Sequence, residues 1–438
     1  MIRFALTLAT LLAALPAWAE VRIQQVTSPG GITAWLVEEH SIPFTALEIG
    51  FQGGTSLDAP GKRGAIYLMT ALLEEGAADR DARAFAREVE GLAASFGYEA
   101  SDDSVDISAR FLTENRDQAV DLLRSSIHQP RFDQDAVDRV RAQVLSGLAS
   151  DLKDPRDIGA RAFEAMAFGD HPYGSDGKGT IESVTALTRD DILAAHRGVF
   201  ARDRMFVSAV GDITPEELGR LADELLGDLP ATGAPLPPKA DVTIAGGVTV
   251  IPFDTPQSVA VFGQKGIDRD DPDFFAAYVF NQILGAGGFE SRLMTEVREK
   301  RGLTYGVYSY LAPKDLASVY MGSVASGNAT MAEAVKVIRE EWQKLADKGV
   351  TEKELADAKT YLTGAYPLRF DSNAHIAEIL AGMQMQRLPP DYITNRNDYV
   401  NAVTLDDANR VARELLDPSN LHFNVVGRPD GLETTAGN

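Results

Sequence analysis

The sequence predicts an α+β protein made of two homologous domains, because two separate patterns recur in both halves of the chain. A T-x-D-D motif at Thr188 precedes A-V-G ending at Gly211, and a T-x-D-D motif at Thr404 precedes V-V-G ending at Gly427, with the same spacing. Independently, the segment EVEGLAASFGYEAS of the first half aligns with EVREKRGLTYGVYS of the second. Self-similarity in both order and spacing indicates a duplicated domain.

Local patterns define the elements of the first half. Residues 21–52 are predicted to form three strands, separated by turns at residues 29–31 and 41–43. A helix is predicted for residues 64–75, and another follows an apolar stripe from Ala82 to Phe96 and closes at Gly97. Residues 105–111 alternate between apolar and polar, as in a strand with one wet face. These patterns predict a sheet that is covered by helices on one side. Further elements are predicted as helices at 114–128, 132–152, 156–167 and from about 189, a strand in MFVSAVGDI, and a helix that begins at Thr214.

A segment without periodicity separates the two halves. Residues Leu229 to Gly247 (LPATGAPLPPKADVTIAGG) are rich in Pro, Gly and Ala, a composition typical of an interdomain linker. The 438-residue chain is also longer than one hydrophobic core usually supports. We therefore assign residues 20–228 to an N-terminal domain, 229–247 to the linker, 248–432 to a C-terminal domain and 433–438 to a tail. We expect the two domains to move about this linker.

The N-terminus and the composition predict an exported protein of the periplasm. Residues 1–19 read as a signal peptide, with Arg3 before an apolar core and Ala17-Trp18-Ala19 as the cleavage site. The apolar run is too short for a stable membrane span, and the chain has no cysteine for a disulfide or a lipid anchor. The net charge of −22 argues against nucleic acid or an anionic membrane as a partner and leaves a basic peptide or a basic subunit open.

The stretch from Gly285 to Tyr310, GAGGFESRLMTEVREKRGLTYGVYSY, is the strongest candidate for function. It opens with a glycine-rich turn made by Gly285, Gly287 and Gly288, and then an apolar face at 3-to-4 spacing predicts a helix that stops at Gly302. Arg298 in the last helical turn and Tyr305 in the following strand are therefore expected to be neighbours. A phosphate-binding loop is not supported, because a helix precedes the glycines where that fingerprint requires a strand.

This stretch closely resembles the C-terminal-domain signature of the insulinase/pitrilysin family of zinc metallopeptidases, in its subgroup similar to mitochondrial processing peptidase. The shared letters are the glycine-rich turn, S-R-L and R-E-K-x-G-L-x-Y, and the resemblance covers the whole mature chain. It implies that each half is an α/β sandwich with a mainly antiparallel sheet, and that the halves form a clamshell around a chamber for an unfolded peptide. It also implies that Arg298 and Tyr305 contact the substrate backbone.

The zinc motif of that family is missing from this chain. Active members carry H-x-x-E-H on the first helix, and the corresponding positions here are Tyr67, Thr70 and Ala71. The third ligand, a Glu on a later helix, falls at about Gly147. The six His are too far apart in sequence for a helical pair of ligands, so His40 is interpreted as a loop residue and Glu74-Glu75 as a solvated helix end. We therefore expect no zinc in this chain.

These observations predict an exported, non-catalytic subunit of a heterodimeric peptidase. A homologous partner that carries H-x-x-E-H would hold the zinc, and this chain would bind and position the unfolded peptide through Arg298 and Tyr305. Any endopeptidase activity would then require the complex. A catalytically dead peptide-holding protein or a structural core subunit is the alternative. An independent hydrolase ranks lowest, since no G-x-S-x-G elbow is present, although a scattered Ser-His-Asp triad stays open.

Overall fold

A computed structural model describes residues 22–435, and the predicted signal peptide lies outside the described residues. The first half contains a six-stranded sheet in the order β1-β2-β8-β3-β7-β6, in which only the pairing of β2 with β8 is parallel. Its strands are β1 (Gln24–Thr27), β2 (Thr33–Glu38), β3 (Phe44–Gln52), β6 (Ser95–Ala100), β7 (Ser104–Leu112) and β8 (Met205–Gly211), and a separate short ribbon joins β4 (Gly76–Ala77) to β5 (Arg80–Asp81). The helices are α1 (Ala65–Ala71), α2 (Ala82–Gly91), α3 (Arg116–His128), α4 (Gln134–Asp151), α5 (Pro155–Phe168), α6 (Ile181–Ala186), α7 (Arg189–Val199) and α8 (Pro215–Leu226).

The second half contains a five-stranded sheet that repeats this topology. Its order, β9-β13-β10-β12-β11, reproduces that of β2-β8-β3-β7-β6, and the pairing of β9 with β13 is again the parallel one. The strands are β9 (Gly247–Pro252), β10 (Gln257–Lys265), β11 (Thr304–Pro313), β12 (Ser318–Gly327) and β13 (His422–Gly427). The helices are α9 (Phe274–Asn281), α10 (Met331–Lys348), α11 (Glu352–Ala365), α12 (Asn373–Met385), α13 (Tyr392–Ala402) and α14 (Leu405–Leu415).

The repeated T-x-D-D and glycine motifs occupy equivalent places in the two halves. Thr188 and Thr404 are the N-caps of α7 and α14, and each forms a capping box with the aspartate three residues on. Gly211 and Gly427 end the central strands β8 and β13 with φ of 136° and 150°. A Cβ at either position would lie 2.2 Å from a neighbouring oxygen, so only glycine fits. The predicted duplication and the mainly antiparallel sheets are confirmed.

Two helix boundaries differ from those predicted. The α1 helix ends at Ala71 and not near residue 75, because Leu72 and Leu73 are buried in turns that lead to Gly76 at φ 109°. The α2 helix ends at Gly91 and not at Gly97. Ala93 adopts φ 50°, the Asn115 side chain donates to the carbonyl of Leu92 at 2.9 Å, and Phe96 already belongs to strand β6.

Each sheet has a core against its own helices and a second apolar seam against a helix of the other half. On β3, Leu47, Ile49 and Phe51 face the first-half helices, while Ala46 on the opposite face packs against α12 of the second half. Reciprocally, α5 of the first half lies on β10 and β13, with Phe163 fully buried there. Each sheet is therefore covered by its own helices on one face and partly covered on the other face by a helix of the other half, whereas the sequence predicted helices on one side only.

Polar contacts between two hairpin tips accompany these seams. Lys314, between β11 and β12, pairs with Asp102, between β6 and β7, and its ammonium lies 4.5 Å from the centre of the Tyr173 ring. The backbone N–H of Asp315 donates to Asp103 at 3.2 Å. Residues 229–246 between the halves have no regular structure, as predicted for a linker. The halves are nevertheless joined by two apolar seams and this polar contact, which oppose a free hinge at the linker.

Candidate functional site

The helix that would carry a zinc motif is short and rigidly anchored. The α1 helix starts after Gly64, and the Asp58 carboxylate accepts hydrogen bonds from the N–H groups of Gly64 and Ile66 at 2.7 and 2.9 Å. Burial raises the pKa of Asp58 to about 6, against the effect of these bonds. Thr70, in the position of the general base, is 2% exposed. A hydroxyl there supplies neither a carboxylate base nor a strong zinc ligand.

A polar cavity of about 290 Å³ lies beside Tyr67. Lys178 pairs with Asp151 at 2.8 Å, one helical turn beyond the exposed Gly147 on α4, and this hydrogen bond raises the pKa of Lys178. Arg161 and Asp176 form a second pair at 3.5 Å. Across residues 22–435, no three His, Asp or Glu side chains are grouped so that they could hold a metal ion. The carboxylates of Asp151 and Asp176 are thus balanced by cations of the chain itself.

The six histidines serve local structure. Their ring nitrogens are bonded to Asp212 and Glu38 (His40), to the carbonyl oxygens of Leu225 (His128), Pro238 (His171) and Ile127 (His196), to Asp371 (His375), and to Ala245 and Thr249 (His422). His40 lies in a loop, as predicted, and its hydrogen bond to Asp212 raises its pKa. Burial lowers the pKa of His196 to about 4. Nη1 and Nη2 of Arg139 donate to the two carboxylate oxygens of Glu75, and Glu74 is exposed beyond the end of α1.

The sequence predicted a glycine-rich turn from Gly285 to Gly288, but Gly285 lies in a π-helical turn, Gln282–Ala286, that continues α9 against strand β11. Only Gly287 is at a bend, and Gly288 begins a short 3₁₀ helix, Gly288–Glu290. A Cβ at Gly285 would lie 2.2 Å from the Ser309 hydroxyl, and Gly288 adopts φ 56°. The next turn, Met294–Glu299, is a π-helix where a regular α-helix was predicted, and it ends before Gly302 at φ 62°. Arg298 therefore lies in the last helical turn before β11, in the place that the sequence predicted.

At this corner Arg298 is half-buried and Tyr305 is exposed. The Arg298 guanidinium lies 4.5 Å from the centre of the Phe289 ring, a cation–π contact with a side chain that is 61% exposed. Tyr305, the second residue of β11, is 85% exposed, and in the described part of the chain its hydroxyl has no hydrogen-bond partner. The structure gives no direct bond between Arg298 and Tyr305, so each presents its donors separately to solvent.

Two further tyrosines on β11 escaped the sequence reasoning. Tyr308 and Tyr310 are half-exposed and stack at 6.1 Å between ring centres. Nη1 of Arg156, at the start of α5, donates to the Tyr308 hydroxyl at 2.7 Å, so a first-half helix contacts the strand that carries Tyr305. Strand β11 is an edge strand with an irregular register between Thr304 and Val307, and its outer backbone groups are free to pair with an extended chain. The sequence did contain a signal for these residues, because Tyr308 and Tyr310 alternate along the strand shortly after Tyr305.

A larger cavity, of about 1100 Å³, also had no signal in the sequence. It lies between the face of β3, β7 and β6 and helices of the second half, and its walls come from residues 48 to 396. No helix of residues 22–435 combines the length and apolarity needed to cross a membrane. Within residues 22–435, neither the β11 corner nor this cavity groups three His, Asp or Glu side chains that could hold a metal ion.

Comparison with known proteins agrees with this arrangement. Residues 34–178 match the family model described as Insulinase (Peptidase family M16), and residues 186–362 match the model described as Peptidase M16 inactive domain. The non-peptidase homolog YmxG of Helicobacter pylori is 26% identical over 390 residues, which cover 89% of this chain and 90% of that protein. An uncharacterized zinc protease of Mycobacterium leprae is 30% identical over 403 residues, 90% of this chain and 89% of that protein.

Solved structures lead to the same family. The crystal structure of a peptidase M16 inactive domain from Pseudomonas fluorescens has a TM-score of 0.88 and 30% identity, and the match covers 95% of this chain and 100% of that one. A protease from Helicobacter pylori has a TM-score of 0.84 at 18% identity over 92% of this chain and 99% of that one, which shows a shared fold. The chain therefore belongs to the insulinase family, peptidase family M16, and its sequence contains no H-x-x-E-H motif.

Proposed function

We propose that this chain is an exported, non-catalytic subunit that binds an extended peptide and presents it to a zinc-bearing partner of the same family. The observation that carries the proposal is the combination of a missing zinc motif at Tyr67, Thr70 and Ala71 with an accessible Arg298 and Tyr305. The description of residues 186–362 as an inactive domain supports a non-catalytic role.

The chemistry of the β11 corner suits a peptide backbone. The Arg298 guanidinium is planar and always charged, and it donates without ever accepting, while the Tyr305 hydroxyl is free to donate. Carbonyl oxygens are the natural acceptors for both, and the unpaired edge of β11 offers backbone N–H and C=O groups to an extended strand. Zinc in the partner would supply the activated water. Donors from this chain would hold the peptide and stabilise charge on its carbonyl oxygen.

The test is reconstitution with the partner. A tagged chain is used to isolate a sister chain that carries H-x-x-E-H, and the complex is assembled with wild type, Arg298→Ala or Tyr305→Phe. We expect peptide turnover to fall by roughly 10²-fold in either variant, the usual effect of losing one oriented donor to a developing oxyanion. Assembly, zinc content of the partner and melting temperature should stay unchanged, because neither side chain belongs to a hydrophobic core.

A matched control is available on the same half. Tyr361 is an exposed tyrosine on α11, so Tyr361→Phe removes a hydroxyl without touching the β11 corner. Turnover equal to wild type in the Arg298→Ala and Tyr305→Phe complexes would mean that the two residues serve only helix capping and strand packing. It would favour the alternative, a dead peptide-holding or structural subunit. Failure to recover any zinc-bearing partner would remove the heterodimer from the proposal.

A further inference from the structure

The helical segment that carries Arg298 is short and irregular. It covers residues 292–299, and its part Met294–Glu299 is a π-helix, a form that occurs mostly as single short turns. Three of its side chains are buried in the core of the second half, namely Leu293, Met294 and Val297. Arg298 lies outside that core, and residues 288–290 before the segment form a single 3₁₀ turn. The placement of the Arg298 side chain therefore depends on polar contacts as well as on packing.

Arg292, the first residue of this segment, is fixed by three hydrogen bonds to the start of helix α11. Its Nε donates to Oε1 of Glu354 at 2.7 Å. Its Nη2 donates to Oε2 of the same carboxylate at 2.8 Å and to the carbonyl of Gly349 at 3.0 Å. A two-point contact between a planar guanidinium and a carboxylate fixes direction as well as distance. The Arg292 side chain is 14% exposed, so solvent screens this contact less than it screens a surface ion pair.

The acceptor side of this contact is itself held in place. Oε2 of Glu354 also accepts from the backbone N–H and the hydroxyl of Thr351, at 2.8 and 2.9 Å, in the capping box of α11. Burial alone would raise the pKa of Glu354, but the hydrogen bonds from Arg292 and Thr351 lower it to about 2. On α14, Oδ1 of Asn409 accepts from the backbone of the turn after Gly349 at 2.7 Å. Arg292 is therefore bonded to a fixed part of the second half.

Across residues 22–435, Arg292 makes the only ion pair that links residues 287–302 to another element. The other ion pairs of that stretch join its own cations to Glu296. Arg298 contacts the ring of Phe289, and Arg292 lies between these two residues in the sequence. The two-point contact of Arg292 therefore fixes the backbone between the two members of this cation–π contact.

We propose that Arg292 and Glu354 are positioning residues, which hold residues 288–299 so that the Arg298 guanidinium is presented to a bound peptide. Neither residue would touch the peptide. The inference rests on the peptide-binding role proposed for Arg298, and it adds two residues that act through Arg298. A pair that served only to cap α11 would stabilise that helix and leave the order of residues 288–299 unaffected.

Two substitutions weaken the contact and leave the cap of α11 in place. Glu354→Gln removes the charge and one acceptor, while glutamine still completes a capping box. Arg292→Lys keeps the positive charge, but a single ammonium lacks the two-point geometry of the guanidinium. The matched control is Asp273→Asn, because Arg410 binds Asp273 by an equivalent contact at 2.7 and 2.8 Å in the same half, outside residues 287–302.

Hydrogen exchange measured by mass spectrometry on the purified chain is the first test. In the wild type, the N–H groups of Ser291, Thr295 and Lys300 donate within this stretch at 3.1, 2.9 and 3.0 Å. We expect peptides that cover residues 288–300 to exchange about tenfold faster in Glu354→Gln and in Arg292→Lys, because loss of a charged hydrogen bond favours local opening. The Asp273→Asn control should leave their exchange unchanged. Exchange at the wild-type rate in both variants would overturn the proposal.

Peptide turnover by the complex with a zinc-bearing partner is the second test, and a double-mutant cycle separates positioning from stability. We expect Glu354→Gln to lower turnover about tenfold, because a displaced donor no longer fits the developing charge. It should have no further effect when residue 298 is already Ala. Arg292→Lys should reproduce this result, and Asp273→Asn should not lower turnover. An equal loss in the wild-type and Arg298→Ala backgrounds would show a merely structural role and would also overturn the proposal.

Failure of the proposed function gives a different result. Wild-type turnover in the Arg298→Ala complex would show that Arg298 does not act on the peptide. The exchange of residues 288–300 is measured on this chain alone and does not depend on a partner. Faster exchange in the two variants would then still support the hold of Arg292 and Glu354 on this stretch and would restrict the error to the role of Arg298.

Discussion

Removal of the Phe163 ring should destabilise the second half of the chain, although Phe163 belongs to the first. The ring is fully buried in the seam between α5 and the second sheet. It lies directly on strand β10, since a Cβ at Gly263 would be 2.7 Å from its Cζ. Truncation of a buried Phe to Ala costs about 3–5 kcal/mol through lost transfer energy and the cavity left behind. We expect Phe163→Ala to lower the stability of both halves by that amount.

Two tryptophans allow each half to be followed separately. A chain that starts at Glu20 keeps only Trp35 and Trp342. Trp35 packs in the seam under α12, and Trp342 lies in the core of the second half, where its Nε1 donates to Gln264 at 2.8 Å. Urea unfolding followed by fluorescence in the Trp35→Phe and Trp342→Phe backgrounds therefore reports the core of the second half and the seam under α12 separately. Coincident midpoints are expected in both backgrounds, and Phe163→Ala should lower both together.

A Phe→Ala substitution outside the seam is the matched control for Phe163→Ala. Phe85 is also buried, but it packs only with first-half residues such as Ala77 and Leu122, so Phe85→Ala measures the same truncation outside the seam. The reasoning is refuted if Phe163→Ala lowers the midpoint reported by Trp35 and leaves that reported by Trp342 unchanged. Such a result would mean that the halves unfold independently and would restore the free hinge that the composition of residues 229–247 predicts.

Two further predictions concern charge and metal. Folding raises the pKa of Glu48 from 4.5 to about 8, so between these pH values the folded chain keeps a proton that the unfolded chain has released. The free energy of unfolding therefore falls by up to about 1.4 kcal/mol for each pH unit through that window. Glu48→Gln should therefore raise the melting temperature at pH 8 more than at pH 5, and equal shifts at both would contradict this. The triple variant Tyr67→His, Ala71→His and Gly147→Glu should retain about one zinc per chain after dialysis, since two ligands four residues apart on α1 face the neighbouring helix α4. Elemental analysis decides it, and zinc retained by wild type would contradict the assignment of these positions.

Local signals in the sequence predicted the elements and their duplication. Thr214 forms the capping box that its spacing predicted, because a cap depends on residues within one helical turn, and Thr188 and Thr404 of the repeated motif form equivalent boxes. The place of Arg298 before β11 was predicted for the same reason, since Gly302 at φ 62° ends the helix. The π-helical form of that turn was not predicted, because a wider hydrogen-bond pattern leaves no distinct residue spacing.

Long-range pairing explains what the sequence could not predict. The apolar stripe of α5 indicates that Phe163 is buried, but it does not say against which sheet, and the structure places it on the sheet of the other half. The periodicity of apolar residues therefore cannot show that α5 packs on the second-half sheet and α12 on the first-half sheet. The large cavity has the same cause: Glu48, Asp106 and Glu378 are unremarkable alone, and only the register of β3 with β7 and the docking of α12 bring them together.

The acidic residues near Tyr67 and those of the large cavity differ in their partners. Around Tyr67, where relatives with the motif would place zinc, Asp151 and Asp176 are paired with Lys178 and Arg161. In the large cavity, no cation of residues 22–435 offsets the charge of Glu48, and folding keeps an arrangement that costs stability above pH 5. We therefore expect Glu48→Gln to stabilise the chain above pH 5, whereas loss of the Lys178 ammonium leaves Asp151 without its partner and should destabilise it.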